Sequence, residues 1–340
     1  MSTLRPIEII GGGLAGLSLG LALRKERVPV TLFEAGSYPR HRVCGEFIAG
    51  LSTDTIQKLG LAPFLSEALP QREVAWFVRE QLIQQQTLPA PAYGLSRHGL
   101  DAALAEAFVA NGGILHLKTR ITQNPDTPGQ VMATGRRRTR SPWIGLKIHA
   151  RNLPTTKELE LHLGTECYVG LSQIENQEVN VCGLFRRQNT EARGTDLIDT
   201  YLRQAGLIKL ADRLAEAQLD DTSFCAVAAV GFDRKLTPTD GIALGDHAAM
   251  IPPFTGNGMA MAFQSAEAAL DPLRDYAHHK LSWEEACSLV QEKLRQKFNR
   301  RLASANLLHP FLLKAHRQQW LANLCRCGLL PMRPLYSILH

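Results

Sequence analysis

No stretch of this chain approaches the run of about 18 apolar residues that a membrane-spanning helix needs, and none repeats or falls into low complexity. The seven cysteines form no C-x-x-C pair. Cys325-Arg326-Cys327 is too tight for zinc-ribbon spacing, so no metal site is expected. An odd, dispersed set of thiols suits a reducing compartment. Met1-Ser2-Thr3-Leu4-Arg5 leads straight into the first apolar run, which leaves no room for a secretory leader. The expected location is therefore cytoplasmic. What is present is 45% hydrophobic content over 340 residues, enough for two domains or for one large domain carrying an insertion. Charge is uneven. Between Ala286 and His340 stand nine Lys and Arg against the lone acid Glu292, so this segment carries more than the whole chain's net +6. Such a basic, Leu-rich tail packs its apolar side on the body by default; the other reading is peripheral contact with an anionic membrane or an acidic partner. Nucleic acid is not an expected partner.

The strongest signal lies at the start. Ile7-Glu8-Ile9-Ile10 reads as a buried strand that breaks into glycines, and an apolar-periodic helix follows from Leu14 to Leu23. Gly11, Gly13 and Gly16 fit G-x-G-x-x-G. The first serves the tight turn, the second close approach of backbone to a pyrophosphate, the third close helix–strand packing. The phosphates are expected on the first-turn amides around Leu14 and Ala15, where the helix dipole favours an anion. A second apolar run, Val28 to Phe33, ends in Glu34-Ala35, and the Glu34 carboxylate can accept both ribose hydroxyls. Strand, glycines, helix, strand and acid in this order make an adenine-dinucleotide site.

Further along, a basic loop from Gly36 contains Arg42-Val43-Cys44-Gly45-Glu46, and Thr53 to Lys58 is predicted helical up to Gly60. Val74 to Arg79 reads as a strand with a hairpin or connection to Pro91, and Ser96-Arg97-His98-Gly99-Leu100-Asp101 enters a helix. Ile114 to Lys118 reads as the next strand. Predicted mid-chain strands are Trp143 to Ala150, Leu159 to Leu163, Cys167 to Leu171, Val179 to Phe185 and Ser223 to Phe232. Their alternation suits an antiparallel sheet with one covered face. Asp196 to Gln204 and Lys209 to Ala217 are predicted helices. Ile242-Ala243-Leu244-Gly245-Asp246 forms a short strand, and Pro253-Phe254-Thr255-Gly256-Asn257-Gly258-Met259 leads into a helix through Leu270. Ser282 and Glu285 make a capping box for a helix toward Asn306.

The N-terminal fingerprint, Arg97 in Ser-Arg-x-x-Leu-Asp, and Gly245-Asp246 followed by Pro253-x-x-Gly256-x-Gly258 together resemble the FAD-dependent oxidoreductases of the p-hydroxybenzoate hydroxylase and geranylgeranyl reductase superfamily. The resemblance covers roughly residues 5 to 275, and the Arg42–Glu46 segment is most similar to the geranylgeranyl reductase and halogenase branch. It implies an α/β fold: a three-layer, Rossmann-like FAD domain with a parallel sheet, an inserted antiparallel substrate domain, and a helical C-terminal tail. The implied division gives the FAD part residues 1–72, 93–135 and 239–275. Residues 73–92 and 136–238 form the substrate part, and 276–340 the tail. Asp246 would accept from the ribityl chain, Gly256-Asn257-Gly258 would let backbone approach the flavin ring, and Arg42 and Arg97 would reach the ribose–phosphate region. Val43 and Cys44 would lie beside the ring, with Cys44 as the candidate catalytic side chain. For Glu46, surface placement is expected over a proton relay.

The sequence departs from the family in three places. Ala133-Thr134-Gly135, followed by Arg136-Arg137-Arg138, replaces an Asp-Gly pair serving both FAD and NADPH pockets. Glu166 to Leu171 lacks the Tyr-x-Trp-x-Phe-Pro signature of the reductases, and the halogenase box and lysine are absent. His247 follows Gly245-Asp246 where alanine is usual, and is expected to be a hydrogen-bonded histidine at a helix start. One dinucleotide fingerprint exists and FAD needs it, so NADPH or NADH is expected as a transient reductant unless a partner reductase delivers the electrons. The expected activity is monooxygenation of a hydrophobic aromatic or polyketide-like small molecule through a flavin C4a-hydroperoxide. The alternative is saturation of isoprenoid C=C bonds, followed by a halogenase and by a non-catalytic flavin-binding scaffold.

Overall fold

The computed structural model describes residues 3–121, 127–137, 139–236, 239–327, 329 and 332–339; Met1, Ser2 and Arg138 lie outside this set. The chain opens with β1 (Ile7–Ile10), α1 (Leu14–Lys25) and β2 (Val30–Phe33), followed by β3 (Phe47–Ile48), α2 (Thr53–Leu59), β4 (Leu69–Val78) and β5 (Gln81–Gly94). Next come α3 (Arg97–Ala110), β6 (Ile114–His116), β7 (Gln130–Met132) and the strands β8 (Trp143–Arg151), β9 (Leu159–Gly164), β10 (Cys167–Ile174) and β11 (Glu178–Arg186). After α4 (Asp196–Gln204) and α5 (Ile208–Ala215) come β12 (Gln218–Ala228) and β13 (Ile242–Ala243). The helices α6 (Gly258–Ala277), α7 (Trp283–Leu313), α8 (Ala315–Arg326) and α9 (Met332–Leu339) complete the described chain.

Five strands form a parallel sheet in the order β13-β7-β1-β2-β6. Strands β1, β7 and β13 are almost wholly buried, as a parallel sheet covered on both faces requires, whereas the edge strand β6 is exposed at Ile114 and His116. Every residue of α1 from Leu14 to Leu23 is buried, because α1 lies against β1 and β2 and is itself covered by α3 and α6. A helix apolar all round has that fate. Strands of this sheet differ from the sequence reading in places. β7 was not expected, since three residues carry too little pattern, β6 ends at His116 rather than Lys118, and β13 ends at Ala243, with Gly245–His247 forming a 3-10 turn instead of its continuation to Asp246.

The second sheet has eight strands in the order β12-β8-β11-β10-β9-β4-β5-β3. It is antiparallel except where β4 runs parallel to β9, Val74 opposite Leu159. Both faces are covered, not one. Leu146, Ile148 and Ala150 of β8 pack with Ile198, Leu202 and Leu210 of α4 and α5. On the other face Val78, Leu163 and Tyr168 cluster with Leu312, Leu313 and Ala322 of α7 and α8. Gln318 pins α8 to the sheet, its Nε2 donating to the Gly164 carbonyl at 2.6 Å. β12 starts earlier than its alternation predicts because a bulge between Asp220 and Cys225 breaks the period. α6 runs on past Leu270 to Ala277 with Pro272 inside it. The Ser282–Glu285 capping box is formed, and α7 continues beyond Asn306 to Leu313.

Candidate functional site

The Gly11–Gly16 turn joins β1 to α1. Gly11 has φ +112°, and a Cβ there would meet the Ala133 carbonyl oxygen at 2.2 Å, so β7 abuts this turn and admits no side chain. Gly13 caps α1 with no side-chain bond to the helix. A Cβ on Gly13 would find no atom within 4 Å. The first-turn amides, which have no partner inside a helix, thus face open space beside Leu14 and Ala15, both on the wall of a cavity of about 640 Å³. Gly11 and Gly16 shape the turn from behind and do not line this cavity.

Glu34, at the end of β2, is buried. Its Oε1 accepts from Gly36 N at 2.7 Å and Arg40 at 2.6 Å, and its Oε2 from Gly12 N at 2.8 Å. A carboxylate offers about four acceptor positions, so only one, on Oε2, stays free for a hydroxyl. The pair of ribose bonds expected from sequence is therefore reduced to one while Arg40 stays in place. Ala35 is exposed and lies off the cavity wall.

Arg42 and Arg97 both reach the cavity, and one carboxylate holds them there. Asp101, fully buried one turn along α3, takes Arg97 in a bidentate pair at 2.7 and 2.8 Å and Arg42 Nε at 3.2 Å. Burial opposes the Arg97 charge, but Asp101 outweighs it and the pKa rises; Arg42, pressed by burial and by Arg97 itself, is lowered. Arg42 Nη2 also lies 3.8 Å from Glu34 Oε2, a carboxylate already engaged by Arg40, so the three guanidiniums outnumber the two carboxylates that face them. Asp101 stood in the quoted motif without a role; its signal was the four-residue Arg–Asp spacing on a helix.

Val43 and Cys44 also line the cavity. Burial raises the Cys44 thiol pKa against the pull of Arg97, so the side chain is held as a neutral thiol, with Glu46 N–H directed at its sulfur at 3.4 Å. This environment favours a packing group over a nucleophile. Glu46 is wholly buried rather than on the surface.

Across the cavity, Gly245 N donates to Ser265 Oγ at 3.0 Å, which fixes the turn presenting Asp246. The Asp246 carboxylate faces the cavity, and no described residue donates to it. Burial raises its pKa, with Arg97 and Arg42 pulling the other way. Pro253, Gly256, Gly258 and Met259 complete this wall at the start of α6. Gly256 has φ +68°, and a Cβ there would strike the Phe47 ring at 2.4 Å; one on Gly258 would meet nothing. No side chain caps α6, so its positive end is open to the cavity. Asn257 is not on the wall: its side chain is buried and its amide donates to the Leu339 carbonyl of α9.

The opposite wall is the inner face of the mixed sheet, with Val74, Trp76, Leu161, Tyr168, Leu184 and Val227. His309 of α7 sits behind it among the rings of Tyr168, Phe232 and Phe254, and burial pushes its pKa down to about 4. None of the sheet residues was singled out as a site residue from sequence, where only strand alternation marked them, and nothing in the sequence of α7 distinguished His309. His247 is hydrogen-bonded, its Nδ1 2.7 Å from Thr134 Oγ1. Arg136 reaches the Ala229 carbonyl and Arg137 pairs with Asp233, both at 3.4 Å.

The family described as squalene epoxidase matches residues 130–309, a little over half the chain, and an NAD(P)-binding Rossmann-like domain matches residues 9–44. The sequence matches none of the curated proteins. Among solved structures, Klebsiella pneumoniae HpxO, complexed with FAD and uric acid, has a TM-score of 0.76 at 13% identity, covering 98% of this chain and 95% of its own. Pseudomonas aeruginosa PqsL, in complex with 2-aminobenzoylacetate, gives 0.73 at 14%, covering 93% and 98%. p-Nitrophenol 4-monooxygenase PnpA from Pseudomonas putida DLL-E4 gives 0.72 at 14%, covering 99% of both chains. The fold is thus that of the FAD-dependent oxidoreductase superfamily resembled in sequence.

Proposed function

Since the chain belongs to the squalene epoxidase family, we propose that it is an FAD-dependent monooxygenase acting on a hydrophobic small molecule, with NADPH or NADH as transient reductant. The observation that carries this reading is one continuous cavity with two unlike walls. The α1 amides, Arg42, Arg97 and Asp246 offer donors, positive charge and one hydroxyl acceptor, which suits a dinucleotide; the sheet wall is apolar, which suits its substrate. Open space at Gly13 and Gly258, and a carboxylate at Asp246 without a donor among the described residues, fit FAD in particular. Bound there, FAD would supply the redox chemistry that carries electrons from the nicotinamide to dioxygen and an oxygen atom to the substrate. The chain's own work is orientation and exclusion of water. The two arginines would hold the phosphates, the α6 N-terminus faces the cavity with its positive end, and the sheet's side chains would strip solvent from the substrate.

The acceptor is proposed to be an aromatic or polyketide-like ring. Some of the similar structures are named for such compounds, and ring side chains Trp76, Tyr168 and Phe254 form the wall. The family description supports a second reading, in which an isoprenoid C=C bond receives the oxygen as an epoxide. Incubation with NADPH, ¹⁸O₂ and a panel of phenols and isoprenoid olefins tests both. One ¹⁸O atom in a phenol or an epoxide selects between them. Saturated, oxygen-free product would overturn monooxygenation in favour of a reductase. Turnover only with an added reductase would assign electron delivery to a partner.

Two further proposals concern surroundings. All seven cysteines are free thiols, which supports a reducing, cytoplasmic setting. Among the described residues no helix is long and apolar enough to cross a membrane. The tail nevertheless exposes Leu307 by 73% and Trp320 by 69%, together with Phe311 and Leu324. With Arg300, Lys314, Arg317 and Arg326 on the same helices, this supports peripheral contact with an anionic bilayer. Co-sedimentation with vesicles containing phosphatidylserine, lost with Leu307→Ser and Trp320→Ser together, is the expected result; equal sedimentation with neutral vesicles would refute it.

A further inference from the structure

Behind the cavity wall runs a buried line of titratable groups that the proposed reaction has not yet used. Glu46 and Lys147 are both completely buried, and His149 nearly so. Glu46 Oε2 lies 2.6 Å from His149 Nε2, and its Oε1 accepts from Arg97 N at 2.9 Å and Ser96 Oγ at 3.3 Å. Lys147 Nζ is 3.7 Å from Glu46 Oε1 and 3.1 Å from His41 Nδ1. His41 stacks on His98 with ring centres 4.2 Å apart and lines the cavity. At the other end, His149 Nδ1 is 3.3 Å from Glu178 Oε2, and Glu178 pairs at 2.7 Å with Arg151, which is 59% exposed. The line therefore runs from the cavity to the partly exposed Glu178–Arg151 pair, with one step longer than a hydrogen bond, the 3.7 Å between Lys147 Nζ and Glu46 Oε1.

Buried charges of this kind stabilise a fold poorly; apolar side chains of similar volume serve as well or better. β8 brings them together by alternation. Lys147 and His149 share the face opposite the apolar set of Leu146, Ile148 and Ala150, and the loop ending at Glu46 closes over them. Burial alone would raise the Glu46 pKa, but the His149 hydrogen bond and the Lys147 charge outweigh it and hold the carboxyl below its usual range. Burial, then Lys147, pushes His41 down to about 4. Near neutral pH, Glu46 is thus a carboxylate and His41 a neutral ring that accepts from Lys147 on Nδ1. Other ionisable groups facing this line are Asp220 and Cys225 from β12, Cys182 from β11, Glu175 before β11, and Arg97 and Cys44 beside Glu46.

We propose that His41, Lys147, Glu46, His149 and Glu178 form a proton relay between bulk water and the cavity. The inference rests on the FAD reading, because monooxygenation with a nicotinamide donor takes up one proton from solution per turnover. His41 releases its Nε2 proton to the cavity as Lys147 protonates Nδ1. Lys147 is refilled through Glu46 and His149, and His149 from water at Glu178. Each group returns to its starting state once the His41 proton has shifted back to Nε2, so the net change is one proton moved inward.

The test uses the FAD-loaded protein, reduced beforehand without oxygen, in weak buffer with a pH-indicating dye, measuring the rate of proton uptake when it is mixed with oxygenated buffer, since reoxidation of the anionic reduced flavin to peroxide consumes one proton. In the wild type, uptake keeps pace with reoxidation. Glu46→Gln and His149→Asn are each expected to slow it on the order of a hundred-fold, and the double variant no further, since both block one path. Glu178→Gln, at the exposed mouth, leaves the core intact and is expected to slow uptake too, which covers the case in which Glu46→Gln fails to fold. A Glu46→Gln protein with lowered melting temperature and wild-type uptake would show a structural role and overturn the relay. So would unchanged uptake in Glu178→Gln. Failure of the wild type to retain flavin would instead overturn the FAD reading, and the relay with it.

Discussion

Asp101→Asn offers a test in which the empty and loaded proteins should respond oppositely. Asp101 is the shared counter-charge of Arg97 and Arg42, with its side chain fully out of solvent while theirs are 12% and 30% exposed. Removing one partner of a buried ion pair typically costs about 3–5 kcal/mol. Asparagine keeps the shape and one acceptor, so the low end, about 3 kcal/mol, is the expected loss for the flavin-free protein. Arg97 then loses its carboxylate and Arg42 keeps only Glu34, 3.8 Å away, on the wall of a cavity where a pyrophosphate would supply the missing negative charge. FAD should therefore stabilise the variant more than the wild type, by about 1.5–3 kcal/mol, the worth of a hydrogen bond to a charged group. Urea unfolding of flavin-free and flavin-loaded protein, wild type and variant, gives the four free energies required. If FAD stabilises both proteins equally, the guanidiniums do not face its phosphates, and the placement of the dinucleotide in this cavity is wrong.

Asp246→Ala removes an acceptor that no donor among the described residues uses, so the fold should survive while FAD binds about 10- to 150-fold more weakly, again from a hydrogen bond to a charged group; equilibrium dialysis reads the change. Glu34→Ala should weaken FAD less, since only one acceptor position is free, yet destabilise the protein more, because Gly12, Gly36 and Arg40 lose their partner; equal melting temperatures for the two variants would contradict this. Glu160, buried on the cavity wall, is pulled down to about 2: burial opposes ionisation, but His162, the Thr156 amide and Arg213 outweigh it. Its folded pKa lies below the unfolded one, so the stabilisation, about 3 kcal/mol, is present above roughly pH 4.5 and is lost as pH falls toward 2. Glu160→Gln should flatten that part of the acid-unfolding curve.

The parallel sheet and its glycine turn were legible because a buried strand, a tight turn and a buried helix each impose composition on neighbouring residues. β7 escaped, since its register with β1 is fixed by tertiary contact and not by its own pattern. Glu46 was misplaced for a related reason. Between Gly45 and Phe47 nothing local distinguishes a solvated glutamate from a buried one, and its partners Lys147 and His149 lie over a hundred positions away. The mid-chain strands were placed within a few residues, but their second covered face was hidden because α4 and α5 cover it from later in the chain. Asn257 likewise turns to Leu339, a contact with no short-range trace.

The strand order of the parallel sheet also governs how the chain comes to be folded. β1 is the central strand, yet one neighbour, β7, is more than a hundred residues downstream, and β7 in turn waits for β13. Sheets built from such distant pairings form slowly, since long loops must close before any contact compensates for the lost chain entropy. During synthesis the β1 edge is therefore open until β7 emerges, and the α6 end of the cavity until Gly258. A nascent chain in that interval presents Ile7–Ile10 as an unpaired apolar edge, which makes this segment the natural point for chaperone capture and for aggregation when expression outruns folding.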